Sequence, residues 1–244
     1  MKSVLVTGSN GGIGTAICLL LKEYGYFVIG SDRTPDKNNL DGFIQFDIRN
    51  LVLSEIRRSE FFNSFTLLVR DTQFTALINN AAVQILGSLS ELSVDDFIES
   101  IDTNLTAPLV LSKLVFGSLK ENKGSIVNIG SIHAKLTKPA FISYATSKAA
   151  ILGLTQAMAV DAGELIRVNA IQPAATATEM LLAGFKDTPE ALENLKAFHP
   201  TNTIANPIEI AEAVSFIISD KCQFINGTVL DINGGIGSRL HDPV

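Results

Sequence analysis

Short apolar runs separated by longer stretches of helical periodicity recur along the whole chain, and this alternation restricts the fold more than any single motif does. The runs fall at 2–7, 26–31, 43–46, 75–79, 125–130, 166–171 and 228–231, and the helical stretches at 12–24, 50–70, 94–120, 143–162 and 207–219. Strand, helix and strand in succession predict parallel pairing, because a crossover is needed to bring the chain back to the same end of a sheet. Several runs are unbroken instead of alternating, as in Phe27-Val28-Ile29, Ala76-Leu77-Ile78 and Ile126-Val127. Strands covered on both faces read this way. The expectation is an α/β chain with a doubly wound parallel sheet of about seven strands and helices on both faces, in three layers.

The 244 residues are read as one domain, 1–244, of a size that buries roughly three-quarters of its unfolded surface. Cys18 and Cys222 are too few for a disulfide framework and have no metal-ligand spacing, so reduced cysteines and no metal are expected. A net charge of −6 without any Lys/Arg-rich run argues against nucleic acid as a partner. The first strand begins at once, leaving no room for a secretory leader, and no apolar run approaches the ~18 residues of a membrane span. A cytoplasmic protein acting on a small molecule is expected. The segment 178–206, carrying Pro189 and Pro200, interrupts the strand–helix rhythm and is long for a connection. It is expected to be a substrate-binding loop or lid.

Where the first strand hands over to a helix stands Thr7-Gly8-Ser9-Asn10-Gly11-Gly12-Ile13-Gly14. Glycines in this position permit a tight turn, bring backbone N–H groups against a pyrophosphate and let helix and strand pack closely. At the end of the second strand, Asp32 lies about where the ribose hydroxyls of a bound dinucleotide are gripped. A second constellation begins a helix at Ser143-Tyr144-Ala145-Thr146-Ser147-Lys148. Tyr144 and Lys148 are four residues apart and share a helix face. A phenol titrates near pH 10 unless a cation favours its phenolate, and Lys148 is placed to supply one. Ser131, at the end of the preceding strand, can bond the oxygen that Tyr144 protonates or deprotonates. A Tyr-x-x-x-Lys pair by itself is also a common surface pairing.

With these residues in order, the chain resembles the short-chain dehydrogenase/reductase family along nearly its full length. The match runs through Thr7-Gly8, Gly12, Gly14, Asp32, Asp47, Asn79-Asn80-Ala81, Asn104, Ser131, Tyr144, Lys148, Pro173, Thr178 and Asn233-Gly234-Gly235. The resemblance implies a Rossmann-type sheet and hydride transfer between a nicotinamide dinucleotide and an alcohol or carbonyl carbon. It implies Tyr144 as acid/base, Ser131 as orienter of the substrate oxygen, Lys148 on the nicotinamide ribose and Asn104 holding a water of a proton relay. Cofactor contacts are implied for Gly8, Asn10, Gly12, Ile13, Gly14, Asp32, Arg33, Asp47, Ile48, Asn80, Ala81, Ala82, Tyr144, Lys148, Pro173 and Thr178, with Asp47 facing the adenine and Thr178 the carboxamide. NAD is the expected cofactor and NADP the less favoured one, because Asp32 would repel a 2′-phosphate and Gly11 stands where NADP-using members commonly carry a basic residue. Arg33 is the counter-argument.

The chain departs from the family pattern at Ala82 and Ala174, where glycines are usual, and at Asn233, where the usual residue is Asp. The stretch between Asp32 and Asp47 is also too short for the usual crossover helix, so a bare loop is expected there. A catalytically silent dinucleotide-binding regulator is the alternative reading; the intact Asn104, Ser131, Tyr144 and Lys148 set weighs against it. An epimerase or dehydratase of the related extended group would need a larger C-terminal substrate domain. Apolar residues on more than one face of the helix at 143–162, among them Ile151, Leu152, Leu154, Met158 and Val160, point to a homo-oligomer, a tetramer or dimer. His133, Lys135 and Lys138 near the catalytic end suggest a polar or anionic substrate, while Met180, Leu181, Leu182, Phe185 and Phe198 could equally wall an apolar pocket.

Overall fold

The structure, a computed structural model, describes residues 1–240. Along the chain it runs β1 (Lys2–Thr7), α1 (Gly12–Glu23), β2 (Phe27–Asp32), β3 (Gly42–Gln45), α2 (Asn50–Leu53), α3 (Glu55–Val69) and β4 (Gln73–Asn79). It continues through α4 (Val94–Ile101), α5 (Ala107–Glu121), β5 (Ser125–Ile129), α6 (Ile142–Ala162) and β6 (Arg167–Pro173), and closes with α7 (Glu179–Ala183), α8 (Pro189–Phe198), α9 (Pro207–Ile218) and β7 (Val229–Ile232). The strands form one parallel sheet in the order β3-β2-β1-β4-β5-β6-β7.

The unbroken apolar runs are explained by two cores, one on each face of this sheet. In β1, Leu5 points into the core shared with Phe61, Phe65, Leu111 and Leu119, whereas Val4 and Val6 point into the core shared with Ile17, Leu21, Ile210 and Val214. One face is therefore covered by α3 and α5, the other by α1 and α9. Helix α9 starts where the sequence says it should: Asn206 accepts from the Ile208 N–H, Glu209 accepts from the Asn206 N–H, and Pro207 opens the first turn. Among the described residues, no helix is long and apolar enough to cross a membrane. Cys18 and Cys222 are both buried and unbridged.

Three segments differ from the sequence expectation. The helix expected over 50–70 breaks at Ser54, which is extended and whose side chain accepts from the Arg57 N–H to start α3 afresh. The one expected over 94–120 contains a single π turn, Asp102–Thr106, between α4 and α5. Pro108 supplies a reason: an α-helix would pair its N–H with the Asn104 carbonyl, and proline has no N–H to give. The third is the segment 178–206, which folds into α7 and α8. No residue of either helix is buried. The residues between β2 and β3 are helix-free.

Candidate active site

The strand order reverses between β1 and β4, and the chain ends leaving these two strands diverge to opposite sides of a crevice, the position where open α/β sheets bind ligands. The glycine turn after β1 is wedged against the residues after β4. A side chain at Gly8 (φ +64°) would stand 2.9 Å from the Ala81 Cα, and one at Gly14 would run into the Gly8 carbonyl oxygen. Asn80 Nδ2 donates to the Thr7 and Gly8 carbonyls, both at 3.0 Å, and the Thr7 hydroxyl accepts from the Asn80 and Ala81 N–H groups, also at 3.0 Å. Gly12 packs on Thr178, whose Cβ would be 2.8 Å from an added methyl. At Gly11, by contrast, the nearest contact would be an ordinary 3.4 Å.

This cradle fits a dinucleotide. No side chain caps α1, and the N–H groups of Gly12, Ile13 and Gly14 lie in its first turn, ahead of the first intrahelical bond from Thr15 to Gly11. Three such donors at the positive end of a helix suit a pyrophosphate. Asp32, at the end of β2, accepts from the Asn10 N–H at 3.1 Å through one oxygen and from the Thr34 N–H and hydroxyl, both at 3.1 Å, through the other. Its neighbour Arg33 is exposed. Beyond β3, Asp47 accepts from the Arg49 N–H at 3.0 Å, and Ile48 is buried beneath it. Pro173 ends β6.

Several expected contact residues turn out to be committed within the protein. The Asn10 side chain binds the bare loop after β2, donating to Thr34 and Pro35 and accepting from the Lys37 N–H. The Asn80 amide is spent on the glycine turn. Asn104 accepts from the Val83 N–H at 2.8 Å and donates to the Val83 carbonyl and the Ser147 hydroxyl, and Pro108 deprives its main-chain carbonyl of an α-helical partner. The Thr178 hydroxyl accepts from the Leu181 N–H to cap α7. Ala82 and Ala174 take negative φ, so neither replacement of a family glycine strains the backbone.

Ser131, Tyr144 and Lys148 converge beyond the end of β5. Lys148 is 4% exposed, its Nζ donates to the Ile129 carbonyl at 2.7 Å and stands 5.7 Å from the centre of the Tyr144 ring. Burial pushes its pKa down to about 8. Burial also raises that of Tyr144, and a hydrogen bond from Ser131 opposes the rise. With the Lys148 ammonium turned to Ile129, desolvation is the largest influence on the phenol. A neutral phenol beside a serine hydroxyl can hand a proton to a nascent alkoxide.

The loop after β5 carries the cations that suggested a polar or anionic substrate. Lys135 is paired with Asp231 of β7 at 2.9 Å, which offsets its charge locally. Lys138 lies 4.7 Å from the centre of the Phe141 ring. Sequence reasoning missed the buried relay Asn79–Asn128–Thr155, at 2.8 and 2.9 Å, which ties β4, β5 and α6 together behind the site. It missed Phe141 as well. Asparagines inside otherwise apolar strands were the available signal for the first; nothing pointed to the second.

A family model described as enoyl-(acyl carrier protein) reductase matches residues 8–237. An acetoacetyl-CoA reductase of Acinetobacter sp. is 33% identical over 245 residues, covering 96% of this chain and 97% of that one. Among solved structures, 4-hydroxyisoleucine dehydrogenase complexed with NADH is similar at a TM-score of 0.88 and 30% identity, covering 98% of this chain and 100% of that one. ElxO with NADP bound is similar at 0.87 and 27%, covering 98% and 99%.

Proposed function

Because the chain belongs to the short-chain dehydrogenase/reductase family of nicotinamide-dependent oxidoreductases, we propose that it interconverts a secondary alcohol and a ketone with Tyr144 as the general acid/base. The observation that carries this reading is that the buried Ser131 and Lys148, from two separate elements, both lie beside the half-buried Tyr144. When bound, the nicotinamide gives or accepts the hydride. The chain's own residues do the rest. Ser131 fixes the substrate oxygen, Tyr144 exchanges a proton with it, and Lys148 holds the nicotinamide ribose. The Asn104 carbonyl holds a water that reconnects the phenol to solvent. Gly8, Gly12, Ile13 and Gly14 seat the pyrophosphate; Asp47, Ile48, Ala81, Ala82, Pro173 and Thr178 line the remaining length of the cofactor.

NAD is the proposed cofactor. Asp32 is held at the end of β2 by Asn10 and Thr34, so a 2′-phosphate would meet a fixed carboxylate, whereas ribose hydroxyls would meet an acceptor. Arg33 would have to compensate a charge already in place. The two short helices of 178–206 form the substrate lid within a single domain, in a cytoplasmic enzyme. A homo-oligomer is proposed to form through α5 and α6. Of the residues that suggested it, Ile151 is buried, Leu152, Leu154 and Met158 are half-buried and Val160 is 83% exposed, with the small residues Ala149, Gly153 and Ala157 exposed on the same helix. Light scattering at micromolar concentration should give a multiple of the chain mass.

The activity itself is tested by following reduced nicotinamide absorbance with NADH and NADPH against a panel of ketones, sugars and hydroxy acids. Turnover with at least one substrate and a kcat/KM favouring NADH are expected. Tight dinucleotide binding without turnover of any panel member would favour the silent regulator.

A further inference from the structure

The strands end at the cleft and begin at the opposite edge of the sheet, where the first residues of β1, β4, β5 and β6 meet the end of α9. A cavity of about 160 Å³ lies there, lined by Lys2 of β1, Gln73 and Thr75 of β4, Lys123 ahead of β5, Arg167 of β6 and Asp220 after α9. Of its lining residues only Ile218 has an apolar side chain. None of these residues takes part in the proposed hydride transfer.

Arg167 is 9% exposed. Its Nη2 donates to the Ile217 carbonyl at 2.8 Å and the Ser219 carbonyl at 3.4 Å, and its Nη1 to the Ile225 carbonyl at 3.2 Å, which ties the guanidinium to the end of α9 and the loop beyond it. Its Nε is buried and has no partner among the described residues. Ser125, its register partner on β5, is 1% exposed, and the Ser125 Oγ is likewise buried and unpartnered. Register partners send their side chains to the same face of a sheet, here the α9 face, since Val127 two residues along β5 enters that core. Two unmet polar groups thus stand side by side on neighbouring strands, one of them charged. Buried polar groups in this position call for a bound partner.

Charge is unmet as well. Three cations and one carboxylate line the cavity, and the carboxylate, Asp220, is held by Lys2 at 2.6 Å. Neither Arg167 nor Lys123 makes an ion pair with a described residue. Burial lowers the pKa of Arg167, the direction for a cation short of counter-charge. The helix ends beside the cavity have their carbonyls occupied: α9 is bound by Arg167, while in α5 the Leu119 carbonyl accepts from the Asn122 and Gly124 N–H groups and the Lys120 carbonyl from the Lys123 N–H. The surplus is therefore positive. A tetrahedral oxyanion offers several acceptors to such donors at once, and a space of this size admits one without admitting a nucleotide.

We propose that this cavity binds a small oxyanion, a phosphate or sulfate group held by Arg167 and Lys123, and that its occupation locks α9 to the amino ends of the strands. The test is thermal unfolding of the full chain in inorganic phosphate against chloride at equal ionic strength, with NADH saturating so that the glycine turn is filled. The midpoint should rise and then level off, by about 3–6 °C at ten times the half-saturating concentration. Arg167→Ala would also release α9 and can fail to fold, so Lys123→Asn carries the comparison. It removes a cation at a left-handed residue (φ +48°), a conformation asparagine tolerates. Half-saturation should then need about threefold more phosphate or beyond, with NADH affinity unchanged.

Glycerol 3-phosphate separates the sources: a response matching that of phosphate upholds the site for a phosphate ester, and no response upholds it for the free ion. A midpoint that climbs without levelling off, equally in Lys123→Asn, is the general salting effect of phosphate. That result, an adventitious ion only, would overturn the proposal. So would a flat midpoint, or a saturable rise that vanishes when NADH is present, since that rise belongs to the glycine turn.

Discussion

The two walls of the cleft are made in opposite ways. On the cofactor side, Gly8 and Gly14 touch with no room for a methyl, and Asn80 and Thr7 clamp the turn with four hydrogen bonds between β1 and β4. On the side proposed as the lid, α7 and α8 bury none of their residues, and Met180 is 78% exposed. At its ends the segment is tied down, where Ala177 donates to the Ala205 carbonyl, Ala205 to the Ala175 carbonyl and Thr201 to the Gly234 carbonyl, and where Arg239 donates to the Phe198 carbonyl. A rigid wall suits a cofactor of invariant shape. Loops on a rigid scaffold are where a substrate pocket can vary without unfolding the domain.

The sharpest way to break this contrast is at Gly14. Gly14→Ala should lose on the order of 1–3 kcal/mol of stability from overpacking and abolish dinucleotide binding, whereas Gly11→Ala, three residues earlier, should stay within about 0.5 kcal/mol. Thermal unfolding and fluorescence titration with NADH would compare the two. Equal effects would mean that the turn is not locked as described.

Next in size is the pH response of the catalytic corner. With its pKa lowered to about 8, the Lys148 ammonium is present below that pH and lost above it, while the raised pKa of Tyr144 keeps the phenol protonated through the same window. Reductive kcat/KM should therefore be flat below pH 8 and fall by up to about tenfold per unit above it. A profile level to pH 10 would show that the lysine charge is not required.

A smaller effect is expected at the adenosine end. Asp32→Ala should lower the NADH-over-NADPH preference by about tenfold, the value of hydrogen bonds to a charged acceptor. An unchanged ratio would transfer selectivity to Arg33 or the loop after it. The smallest concerns the lid: Met180→Ala should shift stability by less than about 0.5 kcal/mol yet change KM severalfold for an apolar substrate, measured on the same preparation.

The parts legible in the sequence were those governed by backbone demands. The alternating apolar runs implied a parallel sheet covered on both faces, and the glycine spacing located the turn after β1. The short Asp32-to-Asp47 interval implied a loop without a helix. Less legible were features set by tertiary partners. Ser54 looks like an ordinary helix residue until its side chain caps Arg57. The π turn depends on Pro108 standing four residues after Asn104, inside a run whose periodicity otherwise reads as continuous helix. Asn10 and Asn80 look like ligand-facing polar residues and are instead spent on holding loops. Lys135 reads as a free cation because Asp231 is distant in sequence. Nothing in the local pattern around Phe141 shows that it will lie flat beneath His133, since that contact depends on how the loop after β5 folds back onto α6.

The claim on which all of this depends is that Tyr144 donates the proton, and Tyr144→Phe isolates it by removing one oxygen while leaving the ring, Lys148 and the glycine turn in place. Reduction of the best substrate, followed by loss of NADH absorbance alongside an NADH binding titration, should fall by ~10²–10⁴ with the dissociation constant changed by less than about threefold. A variant that keeps half the wild-type rate, or loses rate only in proportion to lost NADH binding, would contradict the account.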